Sequence, residues 1–250
     1  DRLAERGVLF RRCYSNDPVC GPFRGSLMTG QYTSRCGVTR NGAPLPENVT
    51  TFADTFNRSG YTTSWVGKWH LGGKGNGPIA RNLQGGFHKF IGYQCYNGFY
   101  DNVCFYDRKG REHRFDRHRT EVTTDLAVGQ LEELAGEDNP FMLMMSYQAP
   151  HYPEQPAPEY AELYKGRSIE RRPNCPGDID PYTPTYSPPS PKPPERNPDD
   201  ERYGNDLDEY IRLYNAMCTQ IDANVGRLFD TLDRLGISDR TMIVFTSDHV

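Results

Sequence analysis

The sequence predicts an α/β fold, with a mostly parallel sheet flanked by helices on both faces. Three observations carry this expectation. Short apolar runs rich in β-branched or aromatic residues alternate with stretches of helical periodicity. The helical stretches close on stop signals such as Gly60 and Gly236. Polar, chemistry-bearing residues follow directly after several apolar runs, where open parallel sheets place their ligands. With 250 residues, 36% of them hydrophobic, the chain is long enough to bury one sizeable core.

Taken in order, strands are expected at 8–13, 61–66, 141–147 and 242–246, each an apolar run of strand length. A short helix is expected over 22–30, because Pro22 suits a first helical turn and Gly30 an end. A second covers 51–58, where Phe52 and Phe56 stand four apart. A third covers 123–135, with Leu126, Val128, Leu131 and Leu134 largely on one face. The longest, 207–235, keeps Ile211, Leu213, Met217, Ile221, Val225, Leu228 and Leu232 in helical register. Two stretches break the alternation. Residues 173–198 hold ten of the 20 prolines and read as a surface loop or insertion, since proline neither continues a helix nor donates to a ladder. The glycine-rich stretch 72–106 reads as irregular; its Tyr93, Tyr96, Phe99 and Tyr100 suit either a carbohydrate pocket or packing beneath a loop.

Composition excludes some functions. Acidic residues (33) outnumber basic ones (29), and no Lys/Arg block stands out, so no nucleic-acid partner is expected. The longest apolar run, 141–145, is too short to span a bilayer. The seven cysteines contain no CxxC pair, which argues against a zinc ribbon or a thioredoxin-type site. Their odd number leaves at least one outside any intramolecular disulfide. Asn48-Val49-Thr50 and Asn57-Arg58-Ser59 fit a glycosylation pattern too short to fix a compartment.

The polar residues converge by position. Lys68 and His70 follow the run 61–66, His151 follows 141–147, and Asp248 and His249 follow 242–246. One histidine in a loop is commonly a surface or capping group, but three strand ends delivering such residues to one edge suggest a site. After 8–13 comes Cys20, at the amino end of the helix over 22–30, where free N–H groups and the helix dipole favour an anion. Arg24, one turn on, offers a permanently charged fork to the same anion. On spacing alone, Cys20 reads equally as a nucleophile or as a buried structural thiol.

The segment Cys20-Gly21-Pro22-Phe23-Arg24, continued by Leu27-Met28-Thr29-Gly30, resembles the maturation signature of the type I sulfatases. Gly60-Tyr61-Thr62-Thr63 with Gly67-Lys68-Trp69-His70-Leu71-Gly72 resembles the second signature of that family. Pro150-His151 and Ser247-Asp248-His249 fall in family order. The resemblance covers essentially the whole chain.

It implies an alkaline-phosphatase-like α/β fold and a sulfuric ester hydrolase, with carbohydrate sulfates as the expected substrates. It implies that Cys20 is oxidised by a formylglycine-generating or sulfatase-maturing enzyme to an aldehyde that hydrates to a gem-diol. One hydroxyl then attacks sulfur and expels the alcohol; the second loses its proton, and sulfate leaves as the aldehyde re-forms. By resemblance, Cys20 is the nucleophile precursor and a ligand of one calcium. Arg24 holds the modified side chain, Lys68 binds sulfate oxygens, and His70 contacts the gem-diol. His151 protonates the leaving oxygen, Asp248 ligates calcium, and His249 stands where the family places Asn or His. Export to the periplasm or outside the cell is expected of the family.

Phe23 departs from the usual serine of the signature. The family's first metal-binding aspartates and a later lysine have no match in these residues. The chain therefore reads as a partial N-terminal catalytic domain (1–250), truncated at both ends. Two alternatives stay open: a phosphonate or phosphate ester hydrolase of the same superfamily, and a catalytically silent glycan-binding homologue in which Cys20 remains a thiol.

Overall fold

The computed structural model describes residues 2–96, 98–171 and 207–249. The proline-rich 173–198 lies outside the described residues. The chain divides into two compact units, Asp1–Gln148 with Gly226–Val250, and Ala149–Val225.

The first unit is built on a five-stranded sheet of order β4-β3-β2-β1-β5. Its strands are β1 (Thr62–Lys68), β2 (Lys89–Tyr93), β3 (Val103–Asp107), β4 (Glu112–Phe115) and β5 (Phe141–Ser146). β1 pairs parallel with β2 and β5, whereas β2–β3 and β3–β4 are antiparallel. The sheet is thus mixed, with its parallel part centred on β1. Strand alternation sends neighbouring side chains to opposite faces. Met142 and Met144 of β5 join the cluster of Trp65, Trp69, Phe87 and Met28, while Phe141 and Leu143 join Leu131, Leu232 and Ile237. Helices consequently cover both faces. Helices α2 (Cys20–Thr29) and α4 (Phe52–Arg58) lie on the first face, and α5 (Arg119–Ala135) with the end of α7 (Leu207–Arg234) on the other. Two short helices, α1 (Arg2–Glu5) and α3 (Thr33–Cys36), also belong to this unit.

Local chemistry explains the helix limits. In α4, the Thr51 hydroxyl accepts from the Asp54 N–H and the Asp54 carboxylate accepts from the Thr51 N–H, a reciprocal capping box. Helix α5 begins four residues before the expected 123. His118 Nδ1 caps the Thr120 N–H, and the Thr123 and Thr124 hydroxyls bond back to the Arg119 and Thr120 carbonyls. Those threonines dilute the helical signal, but burial of Val122 and both hydroxyls holds the turn. Helix α2 ends at Gly30, whose φ of 67° closes the last turn in the left-handed region.

Two expected strands are absent. Residues 8–13 and 242–246 run without ladder partners among the described residues. Val8 and Met242 are 78% and 88% exposed. An apolar β-branched run becomes a strand only beside another strand; of these two runs, Ile243 packs against a core cluster of the described residues. Conversely, β2, β3 and β4 were not expected; five- and four-residue strands containing Gly92 or Glu112 carry little periodic signal. The aromatic stretch is largely a packing device. Tyr93 and Phe99 are buried, and the buried Arg119 guanidinium lies 4.4 Å from the Tyr93 ring centroid and 5.2 Å from that of Tyr96. Arg119 also donates to the carbonyls of Gly98 and Asn102, which ties the loop down.

The second unit contains α6 (Pro158–Glu162) and the first part of α7. The Ala157 N–H, in the turn opening α6, donates to the Gln220 side chain, and Tyr164 shares a hydroxyl hydrogen bond with Thr219.

Candidate active site

Cys20 is the first residue of α2 and is buried. Val19 provides no side-chain cap, so Asn41 Oδ1 takes up the Gly21 N–H at 2.8 Å. Arg24, one turn on, points into the strand ends. Its Nη1 donates to the Lys68 carbonyl (2.9 Å) and the Ser146 hydroxyl (3.0 Å), and its Nη2 to Asp248 Oδ2 (3.2 Å). One side chain thereby joins the carboxyl ends of β1 and β5 to the segment after residue 246.

Lys68 is the last residue of β1 rather than the loop residue expected, and is 2% exposed. Burial, and then the Arg24 charge, push its pKa below the usual lysine value, against Cys95, Cys20 and Asp248. At Asp248 burial opposes ionisation, but Arg24, His249, Lys68 and the His249 N–H outweigh it and hold the pKa below the usual carboxylate value. His70 is buried two residues beyond β1, with φ at 60°. A non-glycine residue in that region is uncommon. His249 Nε2 lies 3.2 Å from Cys20 Sγ. The Cys20, Asp248 and His249 ligand atoms all fall within 4.8 Å of one another.

The structure therefore brings Cys20, Arg24, Lys68, Asp248 and His249 together in one unit. His151 belongs to the second unit, where its Nδ1 is 2.6 Å from the Tyr152 carbonyl. Two contributors escaped the sequence reading. Ser146 is the lone hydroxyl in the run Phe141–Ser146, a signal legible only once the strand is known to end there. Asn41 caps α2 from a loop, and nothing in its spacing marks it.

Two buried cations, Arg24 and Lys68, cost free energy to desolvate, and they flank a thiol at a helix amino end. Such an arrangement favours an incoming anion. Sheet and site together define an α/β protein with two buried cations beside a thiol at the carboxyl edge of its parallel strands. The family comparison is more particular. The Sulfatase family model matches residues 1–250, and the chain belongs to the sulfatase family. It is 30% identical over 252 residues to an ulvan-active sulfatase of Formosa agariphila, covering 100% of this chain and 44% of that protein. It is 27% identical over 302 residues to an N-acetylglucosamine-6-O-sulfatase of Bacteroides thetaiotaomicron, covering 99% and 52%. The crystal structure of sulfatase yidJ from Bacteroides fragilis superposes with a TM-score of 0.76 at 26% identity, covering 94% of this chain and 52% of that one. The chain spans about half the length of the curated relatives it matches. Among the described residues no helix is long and apolar enough to cross a membrane.

Proposed function

We propose that the protein hydrolyses a sulfate monoester on a carbohydrate, with formylglycine made from Cys20 as nucleophile and one calcium at the site. The observation that carries the reading is the placement of Cys20 beside Arg24, Asp248 and His249, with the buried Lys68 in electrostatic reach. Sugar sulfates are favoured because a matching relative is an N-acetylglucosamine-6-O-sulfatase.

Calcium takes oxygen ligands. Asp248 supplies a carboxylate, and Cys20 becomes an oxygen donor only when oxidised and hydrated, so the site fits calcium in the modified protein. When bound, the ion lowers the pKa of a neighbouring hydroxyl. The chain's own residues do the remainder. Arg24 orients the modified side chain while its other nitrogen stays on Asp248. Lys68 binds sulfate oxygens, its buried charge strengthened by the low local dielectric. His70 takes a proton from the gem-diol.

The test uses the protein co-produced with a formylglycine-generating enzyme. Sulfate release from 6-O-sulfated N-acetylglucosamine is compared with hydrolysis of phosphate and phosphonate monoesters, and the Cys20 peptide is weighed by mass spectrometry. Sulfate release that requires formylglycine at position 20 is expected. Preferred phosphonate turnover, or an unmodified thiol with no turnover, overturns the proposal.

A further inference from the structure

His70 has a backbone exception beneath its chemistry: its φ is 60°. A non-glycine residue stays in that region only where its surroundings over-determine it. Those surroundings begin with the parallel ladder. Lys68 stands in register with Tyr93, and the Trp69 N–H donates to the Tyr93 carbonyl at 2.7 Å. Beyond His70 a side chain takes over. Gln94 is the residue after β2; its Oε1 accepts from the Gly72 N–H at 3.0 Å, and its Nε2 donates to the Gly73 carbonyl at 3.0 Å. One amide thus presents an acceptor and a donor, as a peptide group of a neighbouring strand would.

We propose that Gln94 is a positioning residue: its side-chain amide clamps the turn 70–73 and so fixes the His70 imidazole for proton transfer. The inference rests on the role given to His70 above, and it names what sets that residue's geometry.

Burial and close packing support the clamp. Gln94 is 4% exposed, so leaving its amide unsatisfied would carry a desolvation penalty that these two bonds avoid. The amide also lies against the Gly72 backbone. A Cβ on Gly72 would stand 2.7 Å from Gln94 Nε2 and 3.0 Å from its Cδ and Oε1. Those atoms are the far end of a flexible side chain, so Gly72→Ala displaces the amide and spares the fold. The competing explanation is that the core alone sets His70. Its neighbours Trp69 and Leu71 are fully buried, and the Leu71 carbonyl accepts from the Leu45 N–H at 2.8 Å. On that account Gln94 merely fills space.

Gln94→Met tells the two apart, because it keeps the volume and removes both hydrogen bonds. The protein is produced with isotopically labelled histidine, and its ring signals are followed by NMR, that of His70 being assigned through His70→Gln. Gln94→Met and Gly72→Ala are each expected to shift or broaden the His70 signal and to leave that of His113 in place. The double variant should add little to either, because both act on one contact. In protein matured to formylglycine, each single variant should lower kcat about tenfold or more with KM changed less than about twofold, since Lys68 stays in β1. Circular dichroism verifies that each variant folds. An unchanged His70 signal in Gln94→Met, full kcat in that folded variant, or effects of the two substitutions that simply add overturns the proposal. The NMR arm needs no turnover. A parent protein that releases no sulfate sinks the hydrolase reading, while the His70 signal still decides whether Gln94 holds the turn.

Discussion

Arg24 Nη2 stands 3.2 Å from Asp248 Oδ2, while the Nη1 of the same guanidinium reaches the ends of β1 and β5. The fork is a mechanical junction as well as a charge. Arg24→Lys keeps the charge and loses the planar geometry that serves three acceptors. Denaturant unfolding should show a loss of about 1–2 kcal/mol. Sulfate ester turnover by the matured variant should fall at least about a hundredfold through misplacement of the nucleophile.

Lys68 is a buried cation beside another cation, an arrangement that burdens the fold. Lys68→Met should raise the midpoint of thermal unfolding, a gain of about 1 kcal/mol, while abolishing turnover. A variant that is both less stable and inactive would show that the ammonium is needed structurally.

Gly67 lies at φ 105°, where a Cβ would collide with the Ser146 carbonyl oxygen. Because Gly67 pairs with both Gly92 and Ser146, it lets three strands close around the site. Gly67→Ala should cost about 3 kcal/mol or more, read as a fall in urea midpoint. An unchanged midpoint would contradict the close approach.

Asp107 provides a pH-dependent contribution outside the site. Burial opposes its ionisation, but the Arg111 and Lys109 N–H groups, the Arg111 guanidinium and His113 prevail and hold its pKa at about 2. A carboxyl depressed on folding stabilises fully above its unfolded pKa and loses that contribution as pH falls through the folded one. The window therefore runs from about pH 4 down to about pH 2. Asp107→Asn should cost about 1 kcal/mol at pH 7, since the exposed Arg111 is screened by water. It should also flatten the stability profile within that window.

Thr51 tests the helix end beneath the Trp65 cluster. Thr51→Ala removes the capping box and the hydroxyl bond to the Gly85 carbonyl. A loss of about 1–2 kcal/mol is expected, measured by chemical denaturation, with little change in turnover.

Much of the site was legible because its residues sit at ends of elements with strong signals. Cys20 precedes a helix with Pro22 and Gly30 as its marks, and Lys68 closes a run that includes Trp65 and Val66. The strand readings at 8–13 and 242–246 failed for a definite reason. Composition reports what a segment would bury, whereas a strand exists only where a second backbone offers its N–H and C=O groups. The opposite error hid β2 to β4, whose ladders supply pairing that their short mixed sequences do not announce. Asn41 and Ser146 stayed hidden because their roles arise from three-dimensional proximity to α2 and Arg24.

The chain contains two tryptophans, and both lie in one buried cluster with their rings 4.8 Å apart. They bracket Lys68 along the backbone, at 65 and 69. Native fluorescence is therefore a built-in gauge of the packing around Lys68: emission wavelength and quenching report whether that cluster is dry and ordered, with no dye or label attached.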